Sequence, residues 1–185
     1  MKTLMQMHAE QDRGVIFFET VLSLKGQRHT YIECVPVPWS IFEEMPAYFR
    51  EAILTVEAEW SQHKKLIDFS KRAGGFRRSL VPTLPYFMVH WDHKGEKGFG
   101  HIIEGPETAT GAGDGYDFDE GAKGGGEFNR NFAQEIIGNV MELEPRLWRK
   151  PRRMDRKLND ERIKKFRIGY DRFDWTKLLA QTSDQ

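Results

Sequence analysis

PYFMVHWDHKGEKGFGHIIE, residues 85–104, is the stretch whose reading decides the fold. Tyr86 to Trp91 is a run of aromatic, β-branched and apolar residues, the composition of a buried strand. Lys94-Gly95-Glu96-Lys97-Gly98 is polar and carries two glycines that can take positive φ, as a hairpin turn requires. Phe99 to Glu104 then resumes the apolar strand pattern. A β-hairpin is expected here, and the other segments are placed around it.

Upstream, Met1 to Asp12 has Leu4, Met5 and His8 at helical spacing, and Gly14 ends the helix. Val15 to Val21 reads as a buried strand and Lys25-Gly26-Gln27 as a turn. His29 to Pro38 reads as the partner strand, closed by two prolines that cannot donate to a ladder. A helix starts near Pro46, with Phe49, Ile53, Val56 and Trp60 on one apolar stripe facing the core. Gly74-Gly75 ends helical character ahead of the hairpin. Downstream, Gly105 to Gly126 is glycine-rich and acidic, and is expected to be a mobile loop because it cannot bury enough surface to offset its ordering entropy. Glu127 to Leu143 returns to helix, with Phe128, Phe132, Ile136 and Val140 four apart and Pro145 beyond its end. Phe166, Tyr170, Phe173 and Trp175 suggest a terminal segment packed back on the body.

The 185 residues are 39% hydrophobic and 30% charged, ordinary for a globular protein, and no run approaches the apolar length that crosses a bilayer. A single cysteine, Cys34, excludes an internal disulfide. Net charge is zero, yet from Arg146 to Arg167 there are eleven Lys or Arg against three Asp or Glu. From Glu104 to Glu127 seven acids face one lysine. Such asymmetry predicts a basic surface with an anionic partner.

Pro85-Tyr86-Phe87, the return Gly98-Phe99-Gly100-His101-Ile102-Ile103-Glu104, and Leu143-Glu144-Pro145-Arg146-Leu147-Trp148-Arg149-Lys150-Pro151 together resemble the last conserved block of the CwfJ-type proteins. Val15 to Trp60 resembles the end of that family's preceding histidine-triad-like domain. The resemblance implies an α+β fold: residues 1–70 would close a partial histidine-triad-like lobe of helix and antiparallel strands. Residues 71–185 would form a second small lobe, a β-hairpin packed with a helix and a basic tail, with the insert at 105–126. It also implies a C-terminal fragment that starts inside the first domain, whose first strand should pair with something outside the chain.

In the family, three histidines alternate along one strand around a nucleotide phosphate, and the middle one attacks phosphorus. By position these fall on His29, Tyr31 and Glu33. Only the histidine survives; a tyrosine near pKa 10 is a poor nucleophile, and a carboxylate would repel the phosphate. No enzymatic activity is expected, and no cofactor. His29 is then a strand-edge histidine or a retained phosphate contact. His90, His93 and His101 raise the question of a metal, but His90 and His93 are an odd number of residues apart and would leave opposite faces of a strand. No metal site is expected.

The resemblance further implies a nuclear, spliceosomal protein of the late intron-lariat complex, without membrane contact. Its partners would be spliceosomal RNA or the intron lariat, other spliceosomal proteins and the lariat debranching enzyme. The residues expected at RNA are Arg77 and Arg78, His101, and the interleaved cations and aromatic Arg146, Trp148, Arg149, Lys150, Arg152 and Arg153. The plainer alternatives are a solvated loop for the Arg77-Arg78 pair, a buried hydrogen bond for His101, and a charged helix with a core tryptophan for the basic segment. A protein-docking scaffold without RNA contact and a histidine-triad-related nucleotide hydrolase are the other functional readings.

Overall fold

The computed structural model describes residues 1–24, 29–56, 63–81, 83–103, 128–151, 153–177 and 179. The expected turn at 25–27, Trp60 of the apolar stripe and the insert at 105–126 lie outside the described residues. In chain order the helices are α1 (Lys2–Ala9), α2 (Trp39–Phe42), α3 (Met45–Thr55), α4 (Phe76–Ser79), α5 (Phe132–Val140) and α6 (Arg156–Tyr170). The strands are β1 (Arg13–Val21), β2 (Glu33–Pro38), β3 (Ile67–Asp68), β4 (Tyr86–His90) and β5 (Gly98–Ile102). All pair antiparallel in one five-stranded sheet of order β2-β1-β4-β5-β3, which makes the fold α+β.

The hairpin forms as expected, with a different turn. His90 pairs with Gly98, so the loop runs from Trp91 to Lys97 and Gly98 is a strand residue. Gly95 alone of the two glycines takes positive φ, +69°. Asp92 organises the loop: its carboxylate accepts the backbone N–H groups of Lys94 and Lys97, each at 3.0 Å.

β1 lies second in the sheet, hydrogen-bonded to β2 on one side and β4 on the other. This corrects the expectation that the first strand seeks a partner outside the chain. The strand is buried on both faces, which its near-continuous apolar sequence requires. The edges are instead β2, which carries Pro36 and Pro38, and the two-residue β3. Prolines offer an added strand no N–H, and a two-residue strand is too short to template one. Because β1 and β4 pair directly, the segments before and after residue 70 share one sheet.

Strand alternation then sorts the core. One face presents Ile16 and Phe18, Val35 and Val37, and Phe87 and Val89 toward α3 and α5, where Phe49, Ile53, Ala133 and Ile137 complete the cluster. The opposite face carries Phe17, Met88, His90 and Gly100. A Cβ at Gly100 would stand 2.8 Å from Leu80 and 2.9 Å from the Phe69 ring, so the glycine is what lets those side chains reach the sheet. α3 ends at Thr55, and Val56 is its extended C-cap, so the stripe expected to run on through that residue stops at Ile53. In α1 the buried residue is Met7, which is not one of the set Leu4, Met5 and His8.

Candidate nucleic-acid interface

The basic segment is held against the body by one indole. After α5 the chain turns at Glu142, a non-glycine residue at φ +52°, and enters a 3-10 turn at Pro145–Leu147. Trp148 follows and lies over Gly138 of α5, where a Cβ would come within 2.3 Å of the indole Nε1. That nitrogen is buried without a hydrogen-bond partner, whereas the residue as a whole is half-buried. The guanidinium of Arg149 lies over the indole, 5.7 Å from the ring centroid. A cation above the π-face of a ring packed against glycine is thus held in place at the surface.

The other cations differ in surroundings. Arg146 is exposed and ion-paired with Glu144, two residues before it. Lys150 and Arg153 are exposed, and Arg152 lies outside the described residues. Arg77 and Arg78 are exposed on the single turn of α4, with Arg77 5.9 Å above the Phe76 ring. Phe76 in turn stacks on His90 at 6.0 Å, and His90 on Phe17 at 5.2 Å, so a surface guanidinium sits at the end of a column that reaches β1.

His101 is a correction. It is 4% exposed, stacks on Phe128 at 5.5 Å, and its Nδ1–H donates to the Lys65 carbonyl at 2.8 Å. The residue ties the 63–66 segment to the sheet, and its ring is out of reach of RNA. Among the three histidines of the hairpin, His90 and His101 leave opposite faces of the sheet and His93 is exposed in the loop, so no common site forms. His90 donates through Nδ1–H to the Asp92 carbonyl at 2.8 Å, and its Nε2 is buried without a partner. Burial pushes its pKa down, more than the Asp92 carbonyl and carboxylate raise it.

The triad positions do not make a row. β2 begins at Glu33, so His29 and Tyr31 precede the strand, and the Tyr31 phenol is 73% exposed. Strand alternation, which would set three side chains on one face, therefore applies to Glu33 alone. Gln134 of α5 donates to the Glu33 carboxylate at 2.8 Å. Burial raises the Glu33 pKa, and this hydrogen bond only partly offsets the rise. A more deeply buried carboxylate was not singled out from the sequence: Glu19, 6% exposed on β1, accepts from the Tyr86 hydroxyl at 2.8 Å. The signal was an acid inside a mostly apolar strand; its partner lies diagonally across the ladder, since Glu19 pairs with Met88 and Tyr86 with Val21. Among the described residues no helix is long and apolar enough to cross a membrane.

The chain's relationships agree with this layout. Residues 1–50 match the family model described as protein similar to CwfJ C-terminal, and residues 59–176 match protein similar to CwfJ C-terminus 2. The human CWF19-like protein 2 is 34% identical over 176 residues, 95% of this chain and 17% of the relative. Pre-mRNA-splicing factor cwf19 of Schizosaccharomyces pombe is 36% identical over 184 residues, 97% of this chain and 26% of the relative. The chain thus spans about a quarter or less of the length of these two proteins. Both family models contribute strands to the single sheet, β1 and β2 from the first and β3, β4 and β5 from the second, and the chain belongs to the CwfJ-type family.

Proposed function

We propose that this chain is a non-catalytic RNA-holding part of a pre-mRNA splicing factor. It acts in the nucleus within the late intron-lariat complex and aids lariat release or hand-over to the debranching enzyme. A splicing role accords with the names of the relatives, CWF19-like protein 2 and pre-mRNA-splicing factor cwf19. The observation that carries the RNA reading is the Arg149 guanidinium laid over the Trp148 indole, with exposed Lys150 and Arg153 following in the sequence. Single-stranded nucleic acid is held by such combinations of phosphate-neutralising cations and flat stacking surfaces. The absence of catalysis rests on Tyr31 and His29, which stand outside the ladder where a phosphate-surrounding row would be needed.

Binding of a branched intron RNA to the chain, titrated from low to moderate salt, tests this reading. Changing Arg149, Lys150 and Arg153 together to glutamate should weaken binding and reduce the slope of log K against log salt by about 2–3. Unchanged affinity and slope would remove RNA from the account. Hydrolysis of a nucleotidyl substrate that His29→Ala abolishes would restore the enzymatic reading.

A further inference from the structure

α6 is the longest helix among the described residues, and none of its fifteen residues is buried. Its last residue is tied to the body, where the hydroxyls of Tyr170 and Thr3 of α1 hydrogen-bond at 2.9 Å. At the other end Asp155 caps it, accepting the Leu158 N–H at 2.8 Å. Helices of this length are marginal in water without a packed face. Yet the sequence supplies a face: Leu158, Phe166 and Tyr170 recur at spacings of eight and four, with Ile163 beside them, and Phe166 stacks on Tyr170 at 5.6 Å. Leu158, Ile163 and Phe166 are 46%, 40% and 48% exposed. Met154, in contact with Arg162 at 2.9 Å, extends the apolar stripe before the helix begins.

The charges of α6 are sorted around that stripe. At 100° per residue, Lys165 borders it on one side and Arg156 and Arg167 on the other, with Arg162 rising within it. Its two acids, Asp160 and Glu161, fall on the far side, four residues from Arg156 and Lys164 and from Lys157 and Lys165 respectively. Shared in this way, two acids cannot balance six cations: α6 keeps an excess of four positive charges, and Arg162 and Arg167 have neither acid three or four residues away. The stripe's aliphatic members, Leu158 and Ile163, offer no planar surface for a base to stack on, whereas they fit an apolar protein groove.

From this arrangement we propose that α6 is a docking helix for another protein, which receives the Leu158–Ile163–Phe166 stripe in an apolar groove bordered by carboxylates. The site is distinct from the Trp148–Arg149 platform and does not depend on the RNA reading.

The test places the photoreactive residue p-benzoylphenylalanine at position 163 of the full chain, irradiated in splicing complexes isolated from cells. A ribonuclease-resistant adduct is expected, with a mapped peptide rich in apolar residues and Asp or Glu. Reversing Arg156, Arg162, Lys165 and Arg167 to glutamate should reduce the adduct about tenfold or more. Reversing the mapped carboxylates to lysine should then restore it. Since no α6 residue is buried, the chain carrying the photoreactive residue and its charge-reversed form should share one thermal unfolding midpoint, which excludes misfolding as the cause. A ribonuclease-sensitive adduct, an adduct confined to this same chain, a protein adduct indifferent to charge reversal, or no adduct would each overturn the proposal.

Discussion

Gly138 of α5 and Trp148 of the basic segment are in direct apposition, with the space for a Cβ at Gly138 already filled by the indole ring. The relationship makes a helix glycine, otherwise worth about 1 kcal/mol less than alanine, the attachment point of the whole segment. Gly138→Ala should therefore destabilise, because overpacking costs about 1–3 kcal/mol and exceeds the gain in helix propensity. Denaturant unfolding measures the loss. A cycle with Trp148→Ala should show the two changes to be non-additive by about 0.5 kcal/mol or more, since removing the ring makes room for the methyl. Additive costs would mean that the ring does not rest on Gly138.

The Glu19 carboxylate takes its hydrogen bond from Tyr86 in a site with little access to water. Burial, then the neighbouring carboxylate, push the phenol well above its ordinary range, so it stays a donor beyond the pH at which a free phenol ionises. Tyr86→Phe leaves the acid without that donor and should cost about 1–3 kcal/mol, more than an ordinary surface substitution. Glu19→Gln should be milder, because an amide oxygen still accepts the bond. Equal costs for the two variants would argue against an acceptor left without its donor as the source of the loss.

The order of strands along the chain was legible wherever apolar runs were long and bounded by glycine or proline: β1 and the β4–β5 hairpin stand where their patterns put them, whereas the helix expected over Glu127–Leu143 is formed only over Phe132–Val140 and leaves Phe128 ahead of it. Register and neighbours were not. Nothing in Val15–Val21 says that β4 rather than another chain lies on its far side, because long-range pairing is decided by the assembled core. Likewise His29 and Tyr31 sit among β-forming residues, but the ladder opposite β1 extends only to the Phe18–Glu33 pair. The Trp148 platform was half-visible: interleaved cations and an aromatic mark it, whereas the Gly138 seat is a tertiary contact. His101 shows the limit from the other side. Its place in a strand was readable, but the Lys65 carbonyl that holds it lies 36 residues away.

His90 should give the fold an acid-sensitive step. Its pKa is lowered in the folded protein, so below about 6.5 the unfolded chain binds a proton that the folded chain does not. Stability is then greatest above that value and falls as pH drops from about 6.5 toward the folded pKa. Asp92, whose backbone hydrogen bonds outweigh burial and lower its pKa, adds a second loss only at more acidic pH, below the ordinary carboxylate value. His90→Phe keeps a ring between Phe17 and Phe76 and should flatten the step between about pH 7 and pH 5. Urea unfolding at a series of pH values follows it. A profile unchanged by the substitution would assign the step to another group, such as His8, whose pKa burial also lowers.

Pro36 and Pro38 bear on association. They pair with Val15 and Arg13, two residues apart, so both stand in the same alternating set along the edge strand. Since neither has an N–H, that set cannot present the alternating donors that an incoming strand needs, and the ladder to β1 loses nothing only if these positions face outward. Changing both to threonine supplies the missing donors and a residue of high strand propensity. The variant should retain the fold, with core fluorescence and unfolding midpoint close to the parent's. In sedimentation velocity it should show concentration-dependent dimers or larger species where the parent shows fewer. Should the double variant unfold instead, the prolines would be setting the β2–α2 corner rather than guarding the edge. Pro36→Thr alone, away from that corner, separates the two cases: it should increase association without loss of stability if the edge is what proline protects.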